Sequence, residues 1–185
     1  MSYQLSDIDQ TIIDLFFSEH GKEKAFRLLV DTYRERLYWH IRRLVVQHDD
    51  ADDVLQNVFV KAWRGLEQFK QASSLYTWLY RIASNESLTY LDKQKRHRSL
   101  SLSEHENGLS NTLKAEKGFN PNKAEWKLQL AIQELPEKQR LVFTLRYFDE
   151  MPYEKMAEVL DTSAGALKAS YHHAAKKIAA YLTQH

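Results

Sequence analysis

Apolar residues recur at intervals of three and four along most of this chain, the spacing that collects them on one face of an α-helix. The pattern predicts a long first helix over 22–47, with an apolar face made by Phe26, Leu29, Val30, Tyr33, Leu37, Ile41 and Leu44. A second helix is predicted after Asp49 and Asp50, whose carboxylates are suited to cap its exposed amides. Its buried stripe is expected to contain Leu55, Phe59, Ala62 and Trp63.

A third helix is predicted over 74–96, and it has two marked faces. Its core face contains Leu75, Leu79, Ile82, Ala83 and Tyr90. A different face gathers Trp78, Arg81 and Asn85. The N-terminal half is therefore predicted to be a helical bundle.

The helical periodicity is absent between 99 and 123, a segment rich in Ser, Asn, Glu and Lys, so we predict a flexible linker there. The periodicity resumes at Ala124, and short helices are predicted over 128–134, 137–148, 153–160 and 163–182. Pro136 and Pro152 stand at the starts of two of them, where the missing amide hydrogen costs nothing. The predicted fold is all-α, with two small helical domains, 1–98 and 124–185, joined by the linker 99–123.

The last two predicted helices have the lengths of the two helices of a helix-turn-helix, and a two-residue turn separates them. Ser163 is the expected N-cap of the second helix, and Asp161 in the turn is able to adopt a left-handed conformation. Counting 100° per residue places on one buried stripe Leu167, Tyr171, Ala174, Ile178 and Leu182. The rest of the helix is small, basic or hydrogen-bonding, and 163–182 contains no acid. An ordinary solvent-exposed face explains this helix, taken alone, equally well.

Composition narrows the possible functions. The chain of 185 residues has no cysteine, which excludes a disulfide framework and suits a reducing cytoplasm. It has 26 Lys and Arg against 25 Asp and Glu, a net charge of +1, so bulk charge does not indicate a nucleic-acid binder. The first residues lack the basic start and apolar run of a secretory signal, and no stretch approaches the roughly 18–20 apolar residues that cross a bilayer. We expect a cytoplasmic protein with no membrane insertion.

Residues 135–160, 49–63 and 76–85 carry three motifs that together resemble sigma factors of bacterial RNA polymerase. Residues 135–160, LPEKQRLVFTLRYFDEMPYEKMAEVL, closely resemble sigma region 4. Residues 49–63, DDADDVLQNVFVKAW, resemble region 2.2, and residues 76–85, YTWLYRIASN, resemble regions 2.3 and 2.4. Region 3 has no counterpart, so the chain is most similar to the compact extracytoplasmic-function group. The resemblance implies a protein that is not an enzyme, needs no cofactor or metal, and directs polymerase core to promoters.

The resemblance also implies which surfaces meet which partners. Region 2.2 grips the β′ clamp helices of polymerase, which nominates Asp49, Asp52, Asp53, Gln56 and Asn57. Region 4 joins the β flap and reads the −35 element, which nominates Ser163, Gly165, Lys168, Ala169, His172, His173 and Lys176. Family members are often sequestered by an anti-sigma factor, so such a partner is implied as well.

Regions 2.3 and 2.4 open and read the −10 element in this family. The residues so implied are Lys70, Ser73, Ser74, Tyr76, Trp78, Arg81, Asn85, Lys93 and Arg96. Aromatic rings beside cations suit the capture of unstacked bases. Core packing is the favoured role of Tyr80 and Tyr90, and the loop 69–75 corresponds to the segment that holds a flipped base.

The recognition helix departs from the commonest family pattern, because Ser170, His173 and Ala175 stand where arginines are frequent. We therefore expect weak, salt-sensitive duplex binding by the C-terminal domain alone.

Two other functions are compatible with parts of the sequence. A stand-alone helix-turn-helix regulator would bind as a dimer, but no heptad pattern provides an oligomerisation surface. Asp49 to Asp53 fit the DDxxD pattern that holds magnesium and diphosphate in terpenoid synthases, yet the chain lacks the length and the second motif of those enzymes. The adjacent His172 and His173 point to different helix faces, so we assign no metal site.

Overall fold

The computed structural model describes residues 2–69, 73–100, 113–114, 120 and 123–184, with side chains described within them except at 2–6 and 98–100. These residues contain eight α-helices and a short 3-10 helix, Leu66–Gln68. The α-helices are α1 (Ser2–Phe17), α2 (Lys22–Val45), α3 (His48–Gly65), α4 (Leu75–Leu100), α5 (Ala124–Gln133), α6 (Glu137–Tyr147), α7 (Tyr153–Leu160) and α8 (Ala164–Gln184). The predicted all-α class is confirmed. No described helix is both long and apolar enough to cross a membrane.

Helix boundaries follow the periodicity closely in the middle of the chain and less well at its start. The bounds of α7 agree with the prediction, whereas α4 continues to Leu100 and α5 begins four residues early, at Ala124. Helix α1 was not predicted. The proposed capping role of Asp49 and Asp50 is wrong, because α3 begins at His48 and both acids lie inside its first turn. There they face the positive end of the helix dipole instead.

Local side-chain chemistry fixes the helix starts that frame both candidate DNA-reading segments. The Ser163 hydroxyl accepts a hydrogen bond of 3.2 Å from the Ala166 amide, which confirms the predicted N-cap of α8. Ser74 caps α4 in the same way, accepting from the Thr77 amide at 3.2 Å. Asp161 ends α7 with φ 49° and ψ 50°, the left-handed conformation expected for the turn.

The N-terminal helices α1 to α4 pack around the centre of α2, whose Leu29, Tyr33, Leu37 and Ile41 are fully buried. The predicted stripe of α3 is only partly correct. Leu55 and Ala62 are buried, but Phe59 is half-buried and Trp63 is 40% exposed. Trp63 lies instead over the end of α1 and the start of α2, with its ring centroid 6.4 Å from that of Phe16 and 5.0 Å from that of Phe26.

The C-terminal helices enclose a smaller core. Its buried members are Ala131, Ile132, Leu135, Phe143, Ala174 and Ile178. Phe143 stacks on Tyr171 of α8 with a centroid distance of 5.5 Å. The predicted stripe of α8 holds as far as Ile178 and fails at Leu182, which is 39% exposed.

The two helical units touch each other, α2 against α6 and α4 against α7. One continuous apolar cluster draws on both units, including Leu37, Ile41 and Leu44 from α2 and Leu141, Leu145, Met156 and Val159 from α6 and α7. Most of the predicted linker 99–123 lies outside the described residues. Among its described residues, Leu113 is 4% exposed and packs in a small cluster with Val46 and Leu130.

Candidate nucleic-acid and polymerase interfaces

The outward face of α3 presents the five side chains nominated for polymerase contact. Asp49, Asp52, Asp53, Gln56 and Asn57 are all exposed. The same helix is anchored from behind by buried residues, Ala51, Val54, Leu55, Val58 and Ala62. Because the anchored residues recur every three or four positions, the polar face is held rigidly. His48 Nδ1 lies 3.0 Å from an Asp52 carboxylate oxygen at its start.

This polar face continues into apolar surface toward the end of α3, which the sequence reading missed. Val60 is 42% exposed and Trp63 is 40% exposed. Phe17, at the end of α1, is 59% exposed, and its ring centroid is 5.4 Å from that of Phe16. The signal was present, since Gln56, Val60 and Trp63 follow one another at helical spacing. We call the exposed residues Asp49, Asp52, Asp53, Gln56, Asn57, Val60 and Trp63 the α3 face.

The aromatic residues near the start of α4 are partly committed to packing. Trp78 is half-buried, its ring centroid 5.1 Å from that of Phe69. Burial raises the pKa of the Tyr76 hydroxyl to about 12, and its ring lies 4.5 Å from that of Tyr80. Tyr80 is 2% exposed, as its expected core role requires, and burial raises its pKa also. Tyr76 and Trp78 therefore offer only part of their ring surface to a ligand.

The segment before α4 is only partly described. Lys70 and the middle of the loop 69–75 lie outside the described residues. Ser73 is half-buried. Ser74 is already used, because its hydroxyl caps α4 and also lies 2.8 Å from the Thr77 hydroxyl, which is fully buried. Its first role is to hold the start of the helix.

Farther along α4, polar and basic side chains share the outward surface. Arg81 and Asn85 are both exposed, one helical turn apart. Lys93, Lys95 and Arg96 are exposed near the C-terminal end of the helix. Two of these cations reach the C-terminal unit: Lys95 Nζ lies 2.8 Å from a Glu137 carboxylate oxygen, and Arg81 donates to the Glu158 carbonyl. Arg81, Lys93, Lys95 and Arg96 are thus exposed cations on α4, and two of them already contact the C-terminal unit.

The second helix of the helix-turn-helix presents the face expected from its sequence. All seven nominated positions are exposed: Ser163, Gly165, Lys168, Ala169, His172, His173 and Lys176. A side chain added at Gly165 would meet nothing within 4 Å, so the helix surface is open at that point. Leu167 and Ala174 anchor the opposite side. The arrangement allows close approach of the backbone to a flat partner such as a groove wall.

Comparison with known families finds two matches in the order of the two helical units. Residues 29–97 match Sigma-70 region 2, and residues 125–178 match Sigma-70, region 4. The chain is 34% identical over 187 residues to the ECF RNA polymerase sigma-E factor of Escherichia coli, an alignment that covers 96% of this chain and 95% of that relative. It is 31% identical over 178 residues to the RNA polymerase sigma-H factor of Pseudomonas aeruginosa, covering 92% and 91%.

Two solved structures share the fold. One is CnrH in complex with the cytosolic domain of CnrY, with a TM-score of 0.70, 24% identity and coverage of 96% of this chain and 99% of that chain. The other is the sigma factor RpoE in complex with the anti-sigma factor NepR from Bartonella quintana, with a TM-score of 0.70, 22% identity and coverage of 86% and 98%.

Proposed function

The chain belongs to the extracytoplasmic-function sigma factors of the sigma-70 family, and from that membership we propose a division of labour between its two helical units. As a sigma factor it is not an enzyme: it binds RNA polymerase core and directs it to promoters for transcription initiation. We assign residues 1–98 to core binding and to the −10 element, and residues 124–185 to the −35 element. The opposite chemical character of the exposed α3 and α8 faces is the observation that carries this assignment.

The α3 face is the proposed dock for the β′ clamp helices. Its carboxylates and amides are exposed on a helix that buried residues hold in place, so the backbone of the dock does not have to be ordered on binding. Trp63 at its end is the kind of large aromatic that dominates interface energies. The C-terminal unit is proposed to meet the β flap.

The α8 face is the proposed reader of the −35 major groove. Gly165 and Ala169 let the helix approach the base edges, and His172 and Lys176 supply hydrogen-bonding groups at the same surface. The cations are few, and Lys177 already donates to Gln139 at 3.0 Å. Binding of duplex by this unit alone is therefore expected to be weak and to fall steeply with salt.

The outward surface of α4 is the proposed reader of the −10 element. Stacking of one base on an aromatic ring contributes about 1–3 kcal/mol, and flipping a base costs a few kcal/mol. With Tyr76 and Trp78 half-buried, capture offsets the first one or two flips. A bubble of about ten pairs gives up about 1.4 kcal/mol of stacking per step, so contacts with polymerase have to supply the rest. No stable melting is expected without core enzyme.

The cellular location proposed for this protein follows from its two partners, polymerase core and promoter DNA. Polymerase core and promoter DNA place the work of this protein in the bacterial cytoplasm. An anti-sigma factor is a further proposed partner, supported by the fold shared with RpoE, whose structure contains NepR.

Transcription of fragmented genomic DNA by purified core enzyme, with and without this protein, tests the function directly. The expected result is a set of new start sites that appear only when the protein is added, and they would reveal the promoter sequence. A variant with Asp52→Ala and Gln56→Ala is expected to lose these starts, while Glu19→Ala, an exposed change outside the α3 face, keeps them. The proposal would be contradicted if the same start sites were used with and without the added protein, or if no transcription started in its presence.

A further inference from the structure

Helix α1 contributes a buried carboxylate to the N-terminal unit. Asp9 lies near the middle of α1 (Ser2–Phe17) and is 7% exposed, whereas aspartate is mostly found on protein surfaces. Burial raises the pKa of its carboxyl group, and hydrogen bonds from Tyr33 and Tyr76 lower that pKa. A carboxylate is buried at a large cost unless hydrogen bonds satisfy its oxygens. The partners of Asp9 therefore show what this carboxylate does.

The two oxygens of Asp9 bind two different helices. Oδ1 accepts a hydrogen bond from the hydroxyl of Tyr33, a fully buried residue of α2. Oδ2 accepts a hydrogen bond of 3.4 Å from the backbone amide of Tyr76, the second residue of α4. The first amides of a helix have no carbonyl partner within it, and a negative charge beside them is favourable. One carboxylate thus joins α1 and α2 to the start of α4.

The start of α4 is therefore held from two directions. Ser74 accepts from the Thr77 amide at 3.2 Å, which is a local cap made by the neighbouring sequence. Asp9 satisfies the Tyr76 amide from 67 positions away along the chain. Helix α1 lies entirely before residues 29–97, which match Sigma-70 region 2. Helix α1 thus supplies a contact that the matched segment does not provide itself.

The segment held in this way carries groups proposed to read the −10 element. The loop 69–75 ends at the first residue of α4, and Tyr76 and Trp78 stand in the first turn of that helix. Phe69, at the other end of the loop, packs on Trp78 with ring centroids 5.1 Å apart. Helix ends fray readily, because their amides lack partners within the helix. A frayed first turn would displace Tyr76, and ordering it again on binding DNA would cost free energy.

We propose that Asp9 is a positioning residue for reading of the −10 element, because it fixes the first turn of α4 and with it Tyr76 and the end of the loop 69–75. Asp9 itself is buried and does not contact DNA. Helix α1 thereby belongs to the part of the molecule that opens the promoter, although it acts through α2 and α4. The proposal rests on the −10 assignment of α4 made above.

Four variants test the two hydrogen bonds of Asp9. Asp9→Ala removes both of them, and Tyr33→Phe removes only the hydroxyl while the buried ring is kept. Asp9→Asn is the conservative variant, because its amide oxygen can accept from the Tyr76 amide and its amide nitrogen can donate to the Tyr33 hydroxyl. Asp7→Ala is the matched control, since Asp7 is an exposed acid on the same helix.

The rate of promoter opening by holoenzyme is the main measurement. Core polymerase is combined with each variant on a promoter found in the transcription assay, and permanganate reactivity of the promoter thymines follows opening. Asp9→Ala is expected to open the promoter about tenfold more slowly, the factor for one hydrogen bond to a charged group, and Tyr33→Phe about threefold more slowly. Asp9→Asn and Asp7→Ala are expected to stay within about twofold of the unmodified protein.

Two further measurements distinguish positioning from loss of stability. The Kd for core enzyme is expected to be unchanged in all four variants, because Asp9 lies outside the α3 face. Hydrogen exchange in the folded chain reports on the Tyr76 amide directly, and Asp9→Ala is expected to speed its exchange by about tenfold without affecting the amides of α8. A general loss of stability would instead speed exchange of the most protected amides. Tyr33→Phe keeps the test open if Asp9→Ala does not fold.

The proposal is overturned if folded Asp9→Ala opens the promoter at the unmodified rate, or if its slower opening is matched by weaker binding to core. It is also overturned if Asp9→Asn is as slow as Asp9→Ala. Failure of the proposed function looks different, because the unmodified protein then gives no new start sites. Failure of the −10 assignment shows as normal opening by Tyr76→Ala, which keeps the backbone amide that Asp9 binds but lacks the ring.

Discussion

Trp63 provides a quantitative test of the polymerase dock. Its side chain is 40% exposed, which for a tryptophan corresponds to about 100 Å² of mostly apolar surface. Covering this area on binding is worth about 2.5 kcal/mol at 25 cal/mol per Å². Trp63→Ala is therefore expected to raise the Kd for core enzyme by about 60-fold, since about 1.4 kcal/mol is a factor of ten.

Ile8 is the control for loss of exposed apolar surface, because it is 36% exposed on α1 and lies outside the α3 face. Titration of fluorescently labelled protein with core polymerase gives the Kd of each variant. Ile8→Ala is expected to change that Kd by less than about threefold. Chemical denaturation of both variants separates binding from stability, since Trp63 also contacts Phe26. If Trp63→Ala binds core as tightly as the unmodified protein, the contact with polymerase does not include the apolar end of the α3 face.

Three further predictions address stability and DNA binding. Arg140 donates to three carbonyls, those of Leu44, Gln133 and Leu135, each at 3.2 Å; burial lowers its pKa to about 10, which leaves it charged at neutral pH. Arg140→Met leaves the three carbonyls without donors, which costs about 1–3 kcal/mol each, whereas removing the buried charge regains about 3 kcal/mol. Urea denaturation is therefore expected to show a free energy of unfolding about 3 kcal/mol lower. The exposed control Lys138→Met is expected to change it very little. Burial raises the pKa of the Asp9 carboxyl. Above about pH 4 the unfolded chain loses the Asp9 proton while the folded protein still holds it, so the free energy of unfolding falls as the pH rises. Asp9→Asn lacks this loss, and its stability relative to the unmodified protein is expected to increase from pH 4 to pH 7; equal pH dependence of the two proteins would refute the sign. Replacing Lys168 and Lys176 by Ala is expected to reduce the salt dependence of duplex binding, log Kobs against log salt, by a slope of about 2, and an unchanged slope would remove both residues from the phosphate contacts.

Features governed by neighbouring residues were predictable from the sequence. The left-handed turn at Asp161 and the cap at Ser163 depend on side chains within three positions of the backbone they stabilise. The apolar stripe of α2 is long enough that its core face was clear from spacing alone. Helix α1 carries the same signal, because Ile12 and Phe16 lie one turn apart and are both buried.

Features that depend on distant parts of the chain were not predictable from spacing. Trp63 has the periodicity of a core residue, but it packs against Phe16 at the end of α1 and Phe26 near the start of α2 and remains 40% exposed. His40 and Asp149 are 109 positions apart, and no local pattern marks either as a partner of the other. The polymerase and DNA residues were nominated by family resemblance, and the structure adds which of them are exposed and which, such as Ser74, already serve the helix.

The near-zero net charge of this chain conceals two surfaces of opposite sign. The α3 face begins with exposed aspartates, whereas 163–182 has lysines and histidines and no acid. An acidic face repels the DNA backbone, so it weakens contact of the free protein with DNA until a partner covers that face. The same segregation favours DNA binding after polymerase is engaged. Charge distribution along the helices thus supports an order of events, polymerase first and promoter second, that the overall composition conceals.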